Sequence, residues 1–163
     1  MPANLVLTRL DDRLIHGQVA VGWAKVTKPE VLLVADDQVE QDSLRRTLME
    51  MAGAPGTKVL ICRVEETAAA CNRLELDGKR TLLLFSSPWD VCRAVDRGLR
   101  LQELNVGGLR YSPGKRQILK AIAVDEEDMK AFQKLVQEGV RVTVQMVPTD
   151  EPVDIRKYFP PKG

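Results

Sequence analysis

Two hydrophobic rhythms alternate along this chain. Short runs rich in Val, Leu and Ile occupy residues 4–9 (NLVLTR), 30–36 (EVLLVAD), 57–63 (TKVLICR), 80–86 (RTLLLFS), 101–107 (LQELNVG) and 140–147 (VRVTVQMV). Most are apolar throughout, as strands covered on both faces of a parallel sheet are. The last differs: Val140, Val142, Val144 and Met146 alternate with Arg141, Thr143 and Gln145, the pattern of a half-exposed strand near a sheet edge.

The longer segments between these runs carry a helical period. Asp125 can cap a helix with Glu126, Glu127 and Asp128 in its first turn, a buried stripe of Met129, Phe132, Leu135 and Val136, and a stop at Gly139. Ser87 before Pro88 reads as an N-cap and first helical residue, opening a helix to about Arg97 before Gly98. Weaker patterns predict helices over 38–52 and 65–77, and GQVAVGW offers Val19, Ala20 and Trp23 as a buried helical face. The proline-punctuated tail has room for one short helical turn. The sum predicts a single domain over residues 1–163: an open, twisted, mostly parallel α/β sheet with helices on both faces. In such sheets ligands bind beyond the carboxyl ends of the strands, at a switch in strand order. The strand-end loops suited to this are RLDDRLIHG, FSSPWD and NVGGLRYSPGKR.

Composition narrows the function. Lys and Arg total 24 against 23 Asp and Glu, so no broad field favours nucleic acid or an anionic membrane, and any anion site must be local. The N-terminus lacks the pattern of a signal peptide, and no apolar run approaches the ~20 residues that span a bilayer, which predicts a cytoplasmic protein. Cys62, Cys71 and Cys92 are widely spaced and form no C-x-x-C pair, as expected of reduced thiols outside any disulfide framework or zinc site. The single histidine, His16, rules out a multi-histidine metal site.

That histidine follows four charged residues, Arg9, Asp11, Asp12 and Arg13, and leads into a predicted helix. Free N–H groups and the helix dipole at such a place favour an anion, a phosphoryl group among them. Arg13 can contact phosphoryl oxygens, and Asp11 or Asp12 can hold the imidazole or Arg13 in register. A lone histidine beside an acidic pair also fits a satisfied surface or capping residue, and the charges also fit a solvated loop. Their sharing one strand-end loop raises the functional reading. GGLRYSPGKR resembles a phosphate-binding P-loop, but Gly108 and Gly114 enclose five residues and Arg116 stands where Ser or Thr should ligate magnesium, so nucleotide binding is rejected. Its glycines fit a tight turn or a close backbone approach to a ligand. Asp36 and Asp37 invite comparison with receiver domains, yet the third run ends without an aspartate at its tip.

RLDDRLIHGQV closely resembles the signature of the IIB component of the sugar phosphotransferase system, mannose/fructose/sorbose family. The likeness continues through VADDQVEQDSLRRTL, LLLFSSPWDV, LNVGGLRYSPGKRQI and GVRVTVQMVP. It implies a phosphohistidine relay without cofactor, metal or nucleotide: His16 accepts a phosphoryl group through Nδ1 from the IIA component and gives it to a sugar entering through the membrane components IIC and IID. Arg13 is then the phosphate-contacting arginine, with Asp11 and Asp12 in the same active loop and Arg9 supporting it. Ser87 and Gly108 are added as neighbours from strand-end geometry alone. With no fused IIA domain and no membrane segment, the chain is expected to meet IIA, IIC and IID as separate molecules. Arg9, Arg13, Arg110, Lys115 and Arg116 are expected to give the His16 face a positive bias toward an acidic IIA surface. Trp89 stands where family members often carry a small or acidic residue. The alternative is a regulatory IIB-like module that senses phosphorylation without sugar transport.

Overall fold

A computed structural model describes residues 2–161, apart from the side chains of Gln18 and Ala20. Each apolar run forms a strand. In chain order they are β1 (Asn4–Asp11), β2 (Val31–Ala35), β3 (Lys58–Cys62), β4 (Arg80–Phe85) and β5 (Glu103–Gly108). A two-stranded hairpin, β6 (Arg116–Leu119) and β7 (Ile122–Val124), comes next, before β8 (Arg141–Val144) and the two-residue β9 (Val153–Asp154). The main sheet runs β3-β2-β4-β1-β5-β8-β9, parallel throughout except for β9, which pairs antiparallel with β8.

The pleat explains why the runs are apolar at every position. Along β2, Val31, Leu33 and Ala35 face one hydrophobic core while Leu32 and Val34 face another, and along β4 Leu83 and Phe85 oppose Leu82 and Leu84 in the same way. The larger core is covered by α4 (Thr67–Cys71), α5 (Pro88–Asp96) and α6 (Glu126–Gln137). The smaller is covered by a π-helical stretch, Gln18–Trp23, that runs into α1 (Ala24–Thr27), and by α2 (Asp37–Gln41) and α3 (Ser43–Ala52). Helices therefore lie on both faces. Toward β8 the alternation is half apolar: Val142 and Val144 enter the larger core and Arg141 is exposed.

Helix boundaries follow side-chain chemistry. Asp125 and Asp128 form a reciprocal capping box at the start of α6, whose Met129, Phe132 and Leu135 are buried with Val136 packed against them. The chain leaves α6 through Gly139 at φ +91°, a left-handed conformation that glycine adopts at little cost. The predicted helix over 38–52 is two helices, because Asp42 takes extended backbone and turns its carboxylate to the Arg45 N–H (3.1 Å) as the cap of α3. The predicted helix over 65–77 is reduced to α4 between two 3-10 turns, Val64–Glu66 and Leu74–Leu76. There Thr67 donates to the Val64 carbonyl (2.7 Å) and Asn72 to that of Ala68 (3.0 Å), side-chain bonds that compete with a longer ladder. The tail supplies its helical turn at Ile155–Tyr158.

This topology places β1 between β4 and β5. The loops after these three neighbours are the ones the sequence marked, so they converge at one end of the sheet.

Candidate active site

The last residues of β1 alternate across the sheet, which puts Leu10 in the larger core and sends Arg9 and Asp11 to the other side. Both are fully buried, and Arg9 Nη2 donates to Asp11 Oδ2 at 3.3 Å. Burial lowers the Arg9 pKa from its ordinary value, an effect the Asp11 charge opposes. Arg9 also donates to Asn105 Oδ1 (2.5 Å) and to the carbonyls of Gln145 (3.0 Å) and Met146 (2.8 Å), and its guanidinium lies 5.1 Å from the Trp23 ring centroid. A Cβ on Gly107 would overlap that guanidinium, so this strand position requires glycine. Arg9 is thus a strand residue of the interior. The expectation that it contributes charge to the surface is corrected: a cation with this many acceptors costs less inside than an unpaired one, and it props Asp11 from below.

Asp11 is the hub. Its Oδ1 accepts from the Arg13 backbone N–H and from Arg13 Nε, both at 3.1 Å, and its Oδ2 accepts from Arg13 Nη2 at 3.2 Å. Oδ2 also meets His16 Nε2 at 2.9 Å. Burial alone would push the Asp11 carboxyl up, but the bonds from His16 and Arg13 outweigh it and hold it at about 2. An ionised carboxylate only accepts, so His16 carries its proton on Nε2 and a neutral ring has its lone pair on Nδ1. The ring is partly open to solvent, with 18% of its side chain exposed.

The loop that presents the ring is tightly made. Asp12 N–H donates to the Gly108 carbonyl (3.0 Å), Leu14 N–H to the Asp11 carbonyl (2.9 Å), and Val19 N–H to the His16 carbonyl (3.0 Å), where the helical segment begins. Leu14 sits at φ +58°, unusual for a branched side chain, and is held there by burial in the smaller core beside Ile15, Val19 and Trp23. Asp12 points elsewhere than Asp11: its Oδ2 accepts from the Arg110 N–H at 2.7 Å and from Arg110 Nε at 3.4 Å, tying the active loop to the loop after β5.

The structure therefore brings together His16, Arg13, Asp11, Arg9 and Gly108. A Cβ on Gly108 would lie 3.0 Å from Asp11 Oδ1 and 3.3 Å from Arg13 Nη2. Ser87 is used differently: its hydroxyl accepts from the Asp90 N–H (3.2 Å) as the cap of α5, and no hydrogen bond among the described residues joins it to the Asp11 hub. The loop with Gly114 turns into β6 rather than into a helix, unlike a P-loop. Asp36 caps α2 and accepts from Ser86 (2.5 Å), and Asp37 accepts from the Val64 N–H (2.9 Å) and Arg93 (2.9 Å). The three cysteines are free and buried, with the Cys62 and Cys92 thiols each pushed up to about 11 by burial. Asn105, Gly107 and Trp23 went unassigned by sequence reasoning. Their signal was a polar residue in each of two neighbouring apolar strands: Arg9 and Asn105 are partners in the β1–β5 register.

Residues 5–162 match the family model described as the PTS system sorbose subfamily IIB component. The chain belongs to that IIB family. The sorbose-specific EIIB component of Klebsiella pneumoniae is 37% identical over 152 residues, covering 93% of each chain. The mannose-specific EIIAB component of Escherichia coli (strain K12) is 40% identical over 88% of this chain, which spans 45% of that longer protein. Among solved IIB structures, the IIBSor domain of the Klebsiella pneumoniae sorbose permease superposes with a TM-score of 0.89 at 36% identity, covering 94% of both chains. The open parallel sheet is thus the IIB fold, and the chain is a IIB component of a sugar phosphotransferase system. No helix among its described residues is long and apolar enough to cross a membrane.

Proposed function

We propose that residues 1–163 form one cytoplasmic phosphocarrier domain in which His16 Nδ1 is the phosphoacceptor, making the chain a protein-N(π)-phosphohistidine–sugar phosphotransferase. The observation that carries this is the Asp11–His16 bond at 2.9 Å, which fixes the tautomer and turns the other ring nitrogen into the nucleophile. The phosphoryl donor is a phosphohistidine on a IIA partner. The Nδ1 lone pair forms a new N–P bond as the donor's N–P bond breaks, and the donor nitrogen keeps that electron pair. In the second step a hydroxyl of a sugar held by the IIC and IID membrane components attacks phosphorus, the His16 N–P bond breaks, and the hydroxyl proton leaves to solvent or a base. Contact with the membrane runs through these partners alone.

The remaining residues supply positioning and charge. Asp11 stays ionised and favours the cationic, N–P bonded ring. Arg13, 38% exposed at its side chain and locked on Asp11 through Nε and Nη2, offers its guanidinium edge to the moving phosphoryl oxygens. Arg9 and Gly108 hold Asp11 and Arg13 in register, and Asp12 fixes the loop to Arg110. Incubating the protein with phosphoenolpyruvate, the general relay proteins and candidate IIA proteins, then mapping the label by mass spectrometry, tests the reading. An acid-labile phosphate confined to His16, absent from His16→Ala, is expected. Stoichiometric labelling of the alanine variant overturns it.

A further inference from the structure

We infer that an apolar rim around the His16 loop, carried by Tyr111 and Trp89 with Val21 beside them, is the surface that holds the protein donor of the phosphoryl group. The inference rests on the relay proposed above and names the side chains that grip the IIA partner. The chain has two Trp, two Tyr and three Phe. Trp23, Phe85 and Phe132 are buried, and Tyr158 and Phe159 pack against the larger core, which leaves Tyr111 (63% exposed) and Trp89 (37%) as the exposed aromatics. Their places are not scattered. β4 and β5 are the two neighbours of β1, so the segments that follow them border the His16 loop on either side. Trp89 stands on the first, at the start of α5, and Tyr111 on the second. Val21, 70% exposed, lies on the helical stretch that begins two residues after His16.

The backbone that carries these groups is braced. Leu109 N–H donates to the Ala121 carbonyl (2.9 Å) and its own carbonyl accepts from the Ala123 N–H (2.8 Å). Arg110 N–H is bound by Asp12, and the Lys115 N–H closes a turn onto the Ser112 carbonyl (3.0 Å). Trp89 belongs to the capped first turn of α5, after Ser87 and Pro88. Aromatic groups presented on ordered backbone lose little entropy on docking, and Trp and Tyr carry much of the binding energy at protein interfaces. Charge on the same loops selects the occupant. Their exposed charged side chains are Arg13, Arg110 and Arg116, while Asp12 and Asp90 are partly buried and paired with Arg110 and Arg93. Three separate segments contribute, so the matching surface is a folded one: an apolar hollow edged by acidic groups, with an anionic phosphohistidine at its centre. Charge then governs encounter, and the aromatic contacts govern hold.

Labelling of His16 in the full chain by two donors tests the rim. One is the candidate IIA protein that labels the wild type fastest, and the other is phosphoramidate, a small donor with no protein surface. The rate with subsaturating IIA, relative to that with phosphoramidate, is expected to fall about tenfold in Tyr111→Ala and about fivefold in Trp89→Ala, through a higher half-saturating IIA concentration. Tyr111→Phe should restore most of the loss, and the Tyr111→Ala effect should persist as ionic strength rises past ~0.15 M, where the loss of a surface charge fades. Leu74→Ala, an exposed apolar residue ahead of β4 at the opposite end of the sheet, should leave the ratio unchanged. A ratio within about twofold of wild type in the Tyr111→Ala, Trp89→Ala double variant overturns the rim alone, leaving these aromatics to the IIC and IID components. An equal loss with both donors also overturns it, because the residues then act on His16 and not on the donor protein. A wild type labelled at His16 by neither donor overturns the relay and the rim together.

Discussion

On the proposed relay, Asp11 carries two duties that a single substitution disturbs together. Asp11→Asn leaves the Arg9 cation buried without a counter-charge, and a destabilisation of about 3 kcal/mol is expected, read from urea unfolding. The same change lets the side chain donate to the His16 ring and so loosens the tautomer, with phosphoryl transfer expected to slow by about a hundredfold or more. Acid titration isolates the ionic part. The Asp11 pKa is held at about 2, below the usual carboxylate range, so its charge stabilises the fold fully above about pH 4 and loses that effect as pH falls toward 2. The difference corresponds to about 2 kcal/mol, and the stability gap between wild type and Asp11→Asn should narrow by that amount between pH 5 and pH 2. Gly107 is as constrained as the charges: Gly107→Ala drives a Cβ into Arg9, which is walled in by Asn105 and two carbonyls, and should cost about 3 kcal/mol or prevent folding. Gly17→Ala, with no atom within 4 Å of the added Cβ, should change the melting temperature little.

At the level of elements, a helix is as long as its side chains allow, and α3 shows it. Asp42→Ala removes the cap bond to the Arg45 N–H and should cost about 1 kcal/mol in thermal melts. The interruption at Asp42 was passed over although the apolar spacing breaks there, from Val39 to Leu44, whereas Ser87 and Asp125 announced their helices by standing immediately before them. The strands were legible because a run of Val and Leu served on both faces looks like nothing else, as in β2 and β4. The hairpin of β6 and β7 and the two-residue β9 were not, since short strands pairing locally carry too few apolar positions to form a pattern. The site divides similarly. His16, Arg13 and Asp11 stand together in sequence, but two of the acceptors of Arg9 are backbone carbonyls far along the chain, and a carbonyl has no sequence signature.

Across the whole molecule, the positive surface expected around His16 is thinner than a count of basic residues suggests. Arg9 is interior, and Lys115 is paired with Asp128 at 3.0 Å within the α6 cap. Arg110 remains 76% exposed beside Asp12, and Arg116 is exposed at the start of β6. On the proposed relay, replacing Arg110 and Arg116 together by Glu should slow transfer from an acidic IIA partner about tenfold at low salt. The difference should shrink as ionic strength rises past ~0.15 M, where the screening length is ~8 Å, with no fall in melting temperature. Lys115→Glu is the contrasting case: it sets like charges side by side and should lower the melting temperature. The central position of β1 reaches further, into the time course of synthesis. The strand that bears the hub is synthesised before the carbonyls that hold Arg9, which follow 136 and 137 residues later. At ~5–20 residues per second, these two acceptors lag Arg9 by roughly seven to twenty-seven seconds. A polypeptide released before Gln145 lacks two of the acceptors that seat Arg9 under Asp11. Chains that end before Gln145 are therefore expected to hold Arg9, and with it Asp11, less firmly than the full chain.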